Sequence, residues 1–143
     1  MTTAERRALR IPATLDRIVE VRAAVREVAE ACDAPIECED DLVQAVDEAV
    51  TNVIVHGYHG ADGWVDIAAE RSADGIVITI EDTAPTFDPL SVDPPDLEIP
   101  PARRTPGGMG VHLMRQAADT ISHRPRPGGG NILTIRRRLH RTT

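Results

Sequence analysis

A carboxylate and a side-chain amide in this 143-residue sequence have the types and spacing needed for chemistry. Glu48 and Asn52 are four residues apart, so on a helix they would lie one turn apart and point the same way. A carboxylate beside an amide oxygen can bind Mg²⁺ and can accept a proton from a nucleophile. The same spacing is also typical of a solvated helix face, so spacing alone leaves both interpretations open.

A second pair of features suits a ligand that carries an amino group and phosphates. Asp82 follows the apolar segment 76–81, and a carboxylate at a strand end can accept hydrogen bonds from an amino group. The turn Gly107-Gly108-Met109-Gly110 precedes a helix whose free N–H groups can receive phosphate oxygens. The alternatives are a capping role for Asp82 and a flexible hinge at the glycines. Seven of the eleven prolines lie between these features, in a long loop that could close over a ligand.

The elements that must position these residues follow from hydrophobic periodicity and turn residues. Apolar residues at helical spacing predict two helices before residue 57, and a hairpin is predicted around the turn 72–75. The order indicates an α+β fold, with helices on one face of a largely antiparallel sheet. The predicted helices are 14–32, 40–56 and 111–118, and the predicted strands are 8–12, 64–70, 76–81, 120–123 and 131–139.

Composition narrows the class of protein. The length suits one domain, and the net charge of −7 argues against direct nucleic-acid binding, which needs a basic face. All sixteen basic residues are arginine, which excludes a P-loop lysine or a Schiff base. We expect Cys32 and Cys38 to be buried reduced thiols. The sequence has no membrane span and no signal-like N-terminus, so we expect a cytoplasmic protein.

Two other sets of polar residues are weaker candidates for a functional site. His56 and His59 have no evident third ligand, which argues against a zinc site. Arg136, Arg137 and Arg138 fall on a predicted strand, where alternation sends them to opposite faces. We expect edge charge or solvation for these arginines, with partner contact as the alternative.

Taken in order, the motifs resemble the GHKL ATPase superfamily, and most closely its RsbW-like branch of serine-protein kinases that act as anti-sigma factors. The segment 46–58, VDEAVTNVIVHGY, resembles the N-box of that family. The residues IED at 80–82 with FDP at 87–89 resemble its first glycine box and the start of its lid. The residues GGMGVHLM at 107–114, with Asp119 beyond, resemble its second glycine box. The similarity covers residues 8–139.

This resemblance implies a Bergerat-type fold, a two-layer sandwich with a mixed, mostly antiparallel sheet and three main helices on one face. Residues 1–143 would form one domain with an ATP lid at 84–106. Glu48 would act as general base on a substrate serine, Asn52 would coordinate Mg²⁺, and Asp82 would accept from the adenine amino group. The residues implied to contact the nucleotide are Asn52, Asp82, Thr83, Ala84, Arg104, Gly107, Gly108, Met109, Gly110, Val111 and Thr134.

The implied function is partner switching: the protein would sequester a sigma factor and phosphorylate an anti-sigma-factor antagonist of the STAS type, using Mg-ATP. The family tends to form dimers, so a homodimer is expected. One departure matters, because Ala84 stands where the family usually has glycine and alanine resists positive φ. The alternatives are a non-catalytic module that only holds a partner, and the catalytic part of a histidine kinase, which the absence of a phosphoacceptor helix before the N-box disfavours.

Overall fold

A computed structural model describes residues 3–91, 95–103 and 109–141, and its secondary structure follows the predicted order. Short 3-10 turns precede β1 and α1, and two more lie in the proline-rich loop at Pro89–Ser91 and Pro101–Arg103. In the described chain the helices are α1 (Ile18–Ala31), α2 (Ile36–Asn52) and α3 (Met109–Ala117). The strands are β1 (Arg6–Pro12), β2 (Trp64–Arg71), β3 (Gly75–Asp82), β4 (Thr120–Pro125) and β5 (Asn131–Arg138).

The five strands form one sheet in the order β1-β2-β3-β5-β4. All four pairings between them are antiparallel, so the predicted mixture of strand directions does not occur in the described sheet. Alternation gives the sheet two different faces. One face carries Ile67, Ile78 and Ile135 into the core. The other face carries small and charged side chains, such as the cross-strand pair of Arg10 and Asp66.

The three helices cover the apolar face of the sheet. Val21, Val25 and Val28 recur at helical spacing on α1 and are fully buried, because that spacing gathers them into one stripe. The central helix α2 packs against both α1 and α3 and buries its own stripe on the sheet. The predicted α+β sandwich with its helices on one face is therefore confirmed.

Helix α2 begins at Ile36, one turn earlier than the predicted start near residue 40. Pro35 occupies the capping position, and its carbonyl accepts the first helical hydrogen bond from the N–H of Glu39. Proline is compatible with a helix start because it has no N–H to satisfy there. Glu37 and Glu39 in the first turn also face the positive end of the helix dipole.

The expectation of solvated strand arginines is wrong for Arg137. Its position on β5 sends the side chain toward the helices, where only 2% of it is exposed. Its Nε donates to Asp41 Oδ2 on α2 at 3.0 Å. The neighbours Arg136 and Arg138 are exposed on the other face, as alternation requires. Arg137 therefore ties β5 to the helix that carries Glu48 and Asn52.

The two cysteines are buried and free, as expected. Burial raises the pKa of both thiols, which keeps them protonated. Among the described residues, no helix combines the length and the apolar character needed to cross a bilayer.

Candidate functional site

Glu48 and Asn52 both lie on the last two turns of α2, where their side chains are half-buried. The first turn of α3 rests directly on them. A methyl group added to Gly110 would lie 2.8 Å from Glu48 Oε2 and 3.5 Å from Asn52 Oδ1. The structure therefore brings Gly110 against Glu48 and Asn52, which lie about sixty positions earlier in the sequence, and the missing side chain of the glycine leaves room for this approach.

The surroundings of the Glu48 carboxylate on α2 favour its protonated form. Burial raises its pKa, and the neighbouring charge of Asp47 raises it further. Asp47 itself points toward α1, where it pairs with Arg22 at 2.7 Å. A carboxylate with a raised pKa is a stronger base than one in water, which suits proton transfer.

Immediately after Asn52, the helix widens into a π-helical turn at Val53–Gly57. Such turns are rare and occur often at functional sites. The extra residue delivers Tyr58 into the core, where its hydroxyl donates to the carbonyl of Trp64 at 2.7 Å. The same hydroxyl accepts from the N–H of Thr83 at 2.9 Å. Tyr58 had no role in the sequence-based site, yet it holds the residue that follows Asp82.

Asp82 is the last residue of β3 and points toward the helices, with 1% of its surface exposed. Its Oδ1 accepts from the N–H of Ala84 at 2.9 Å and from Asn131 Nδ2 at 3.0 Å. Burial raises the pKa of this carboxyl, while these two hydrogen bonds and the nearby His123 oppose the rise. Asp82 is thus a buried acceptor held in one orientation.

Ala84, where the family pattern has glycine, does not need a positive φ. In the described chain, the non-glycine residues with positive φ are Asp33 and His59. Ala84 is instead buried against the end of the π-helical turn, where a methyl group on Gly57 would lie 3.1 Å from the Ala84 Cβ. The missing side chain at Gly57 leaves space for the methyl group of Ala84. This contact also links the Asp82 loop to the helix of Glu48 and Asn52.

Asn131 is the site residue that sequence reasoning missed. It stands opposite Asp82 in the pairing of β3 with β5, and its amide bonds to the Asp82 carboxylate. The only signal in the sequence is its place as the first polar residue after the glycine turn 128–130. Thr134, which was expected to contact nucleotide, pairs with Thr79 and lies on the face of the sheet away from the helices. Three residues further along a strand, the side chain points to the opposite side.

The remaining predicted contacts divide between described and undescribed parts of the chain. Val111 is buried in the core, Met109 is half-buried at the start of α3, and Thr83 is exposed beside Asp82. Arg104, Gly107 and Gly108, which were also predicted to contact the nucleotide, lie outside the described residues.

Comparison with known proteins identifies the family of this chain. Residues 11–137 match the model of the histidine kinase-like ATPase domain family, and the chain belongs to that family. An anti-sigma F factor of Clostridium beijerinckii is 33% identical over 127 residues, covering 83% of this chain and 84% of the relative. A serine-protein kinase RsbW of Bacillus cereus is 26% identical over 121 residues, covering 82% of this chain and 76% of the relative.

A solved structure supports the fold. The crystal structure of the RsbU and RsbW domains of a Mycobacterium tuberculosis protein superposes with a TM-score of 0.66 at 20% identity. The match covers 93% of this chain but 31% of that longer one, so this chain corresponds to about a third of it. The Bergerat-type architecture implied by the motifs is therefore the fold of this chain.

Proposed function

We propose that this protein is an anti-sigma factor and an ATP-dependent serine-protein kinase that acts by partner switching. It holds a sigma factor and phosphorylates an antagonist protein, which loses its hold on the kinase once it is phosphorylated. The observation that carries the proposal is the contact of Gly110 with Glu48 and Asn52, because it joins a base, an amide ligand and a helix N-terminus in one place. Relatives named anti-sigma F factor and serine-protein kinase RsbW support it.

The nucleotide is ATP in this proposal. The buried Asp82 carboxylate accepts a hydrogen bond from the adenine amino group, with Thr83 and Ala84 beside it. The N-terminal turn of α3 receives the phosphates, because its first N–H groups have no partners within the helix. Arg104, just before that turn in the sequence, supplies the positive charge that a lysine supplies elsewhere.

Magnesium fits the oxygen donors at this site. Asn52 offers an amide oxygen beside the carboxylate of Glu48, and hard cations prefer such ligands. The described residues contain no group of three or more His, Cys, Asp or Glu side chains placed for a metal, so Asn52 would hold a cation whose other ligands are phosphates and water. When bound, Mg²⁺ supplies neutralisation of phosphate charge.

Glu48 performs the proton transfer. Its carboxylate accepts the proton of the substrate serine hydroxyl as the serine oxygen bonds to the γ-phosphorus and the bond from that phosphorus to the ADP oxygen breaks. The partial burial that raises the pKa of Glu48 makes the carboxylate a better acceptor for that proton.

The partners follow from the same assignment. The sigma factor and a STAS-type antagonist bind at the protein surface, and the protein works as a homodimer in the cytoplasm. The negative net charge of −7 suits association with arginine-rich sigma regions rather than with nucleic acid.

The experiment uses purified protein and a cognate antagonist. Calorimetry should detect ATP binding that depends on Mg²⁺, and labelled ATP should transfer phosphate to a serine of the antagonist. ATP binding without transfer to any cognate antagonist, together with a retained sigma factor, would leave only the partner-holding module. Absence of nucleotide binding would reject the kinase.

A further inference from the structure

Asn131 forms an unusually complete set of hydrogen bonds for a partly exposed side chain. Its amide nitrogen donates to Asp82 Oδ1 at 3.0 Å and to the carbonyl of Pro85 at 3.3 Å. Its amide oxygen accepts from the N–H of Phe87 at 2.9 Å and contacts His123 Nε2 at 2.8 Å. Two donors and two acceptor positions are all used, which is the full capacity of an asparagine side chain.

These partners allow one orientation of the amide. A backbone N–H can only donate, so the atom facing Phe87 must be the oxygen, and the nitrogen must face Asp82. His123 must then carry its proton on Nε2 to donate to the same oxygen. The His123 side chain is 5% exposed, and its Nδ1 lies 3.9 Å from Asp88 Oδ1, which is beyond hydrogen-bond distance. Asn131 cannot turn over without losing these bonds.

The orientation of the amide has a consequence for Asp82. Both of the hydrogen bonds that the described residues make to its carboxylate end on Oδ1. The oxygen Oδ2 keeps its lone pairs for a ligand. Among the contacts of the described residues, Oδ2 is therefore the Asp82 oxygen left for a ligand donor.

We propose that Asn131 is a positioning residue for base recognition: it holds the Asp82 carboxylate ionised and presents Oδ2 to the exocyclic amino group of a purine. The inference rests on the proposed function, because it assumes that Asp82 binds the base. A buried carboxylate is disfavoured as an anion unless donors compensate it, and Asn131 supplies a side-chain donor. The same amide anchors residues 85–87, at the start of the proline-rich segment.

The test is Asn131→Ala, with affinity measured for ATP and for inosine triphosphate, which has a carbonyl in place of the amino group. The wild type should prefer ATP, and the variant should lose about 10-fold in ATP affinity while its affinity for inosine triphosphate changes little. A merely structural role would weaken both nucleotides equally, and that result would overturn the proposal. Thr79→Ala is the control, because it lies on the strand of Asp82 but on the far face of the sheet.

The pH dependence provides a second readout. Removing the Asn131 donor should raise the pKa of Asp82, so ATP binding by the variant should fail at a higher pH than in wild type as the solution is acidified. The charged groups around Asp82 are Glu81 on the same strand and His123 on β4, and both remain in the variant. Loss of ATP binding at the same pH in the wild type and the variant would contradict the proposal. If Asn131→Ala does not fold, Asn131→Ser serves instead, because its hydroxyl is too short to reach Asp82.

Failure of the inference can be separated from failure of the proposed function. Carbon-13 NMR titration of the Asp82 carboxyl in the free protein needs no nucleotide. If the wild type binds no ATP, the proposed function fails, and the titration still tests whether Asn131 holds the carboxylate ionised. An Asp82 titration that is identical in wild type and variant overturns the inference, whatever the nucleotide affinity.

Discussion

Gly110 lies against Glu48 so closely that a methyl group added to it would approach Oε2 of that carboxylate to 2.8 Å. The atom in the way is the end of a side chain, not backbone, so the fold can absorb a methyl group by moving the carboxylate. This contact makes the position of the proposed base sensitive to a residue on another helix.

Gly110→Ala should therefore separate stability from activity. Alanine favours a helix over glycine by up to about 1 kcal/mol, so the thermal midpoint should stay equal or rise. Displacing the base should slow phosphate transfer by ~10²-fold. Thermal unfolding and transfer from labelled ATP measure the two effects, and Gln116→Ala on the exposed side of α3 is the control. An undiminished transfer rate would show that Glu48 tolerates the methyl group or is not the base.

Glu48→Gln should impair only phosphate transfer, whereas Asn52→Ala should impair both nucleotide binding and transfer. Glu48→Gln keeps the shape and removes the base, so it should bind Mg-ATP normally and transfer phosphate at least ~10²-fold more slowly. Asn52→Ala should lose both binding and transfer, because the amide ligand goes. Calorimetry and phosphate transfer run in parallel decide the matter. Gln44→Ala, one turn earlier on α2 and exposed, is the matched control. Transfer by Glu48→Gln at the wild-type rate would assign the base elsewhere.

Asp82→Asn should weaken ATP binding by roughly 1–3 kcal/mol, because a charged acceptor is lost. The same change should stabilise the nucleotide-free protein at pH 7. Since burial raises the pKa of Asp82, the folded state holds its proton more tightly than the unfolded state. The unfolding free energy of wild type should then fall as the pH rises from the ordinary pKa toward the raised one, a loss that asparagine does not suffer.

Urea unfolding at several pH values tests this sign. The stability difference between Asp82→Asn and wild type should grow from acid toward neutral pH and vanish in acid, where the carboxyl is neutral in both states. Asp62→Asn, in the exposed segment before β2, controls for the loss of one acidic charge. A difference that is constant with pH would contradict the linkage.

Removing Asp41 and removing Arg137 from their ion pair should lower the unfolding free energy by different amounts. Asp41→Ala leaves a guanidinium unpaired with only 2% of its side chain exposed, and should cost about 3 kcal/mol of unfolding free energy. Arg137→Met should cost less, because the Asp41 side chain is 24% exposed and Arg141 lies 3.7 Å away to compensate it. Chemical unfolding measures both. The exposed pair of Arg17 and Glu20 on one helical turn serves as control, and Glu20→Ala should have no measurable effect. Equal losses for the two halves would contradict this account.

Much of the site follows from the sequence alone, because helical and strand periodicities are local. The four-residue spacing of Glu48 and Asn52 placed them on one face of α2, and the apolar run before Asp82 placed that carboxylate at a strand end. The motif similarity over residues 46–58 then indicated the family and the fold. The placements of Glu48, Asn52 and Asp82 depend on backbone geometry within single elements, which is local to the sequence.

Other features were decided by the tertiary structure. The pairing of β3 with β5 sets Asn131, not Thr134, beside Asp82, and a shift of one residue would have exchanged the faces of the strand. The same register buries Arg137 against Asp41. The contact of Gly110 with Glu48 depends on how α3 packs on α2. Such relations join residues far apart in the chain, and they arise only when the strands pair and the helices pack.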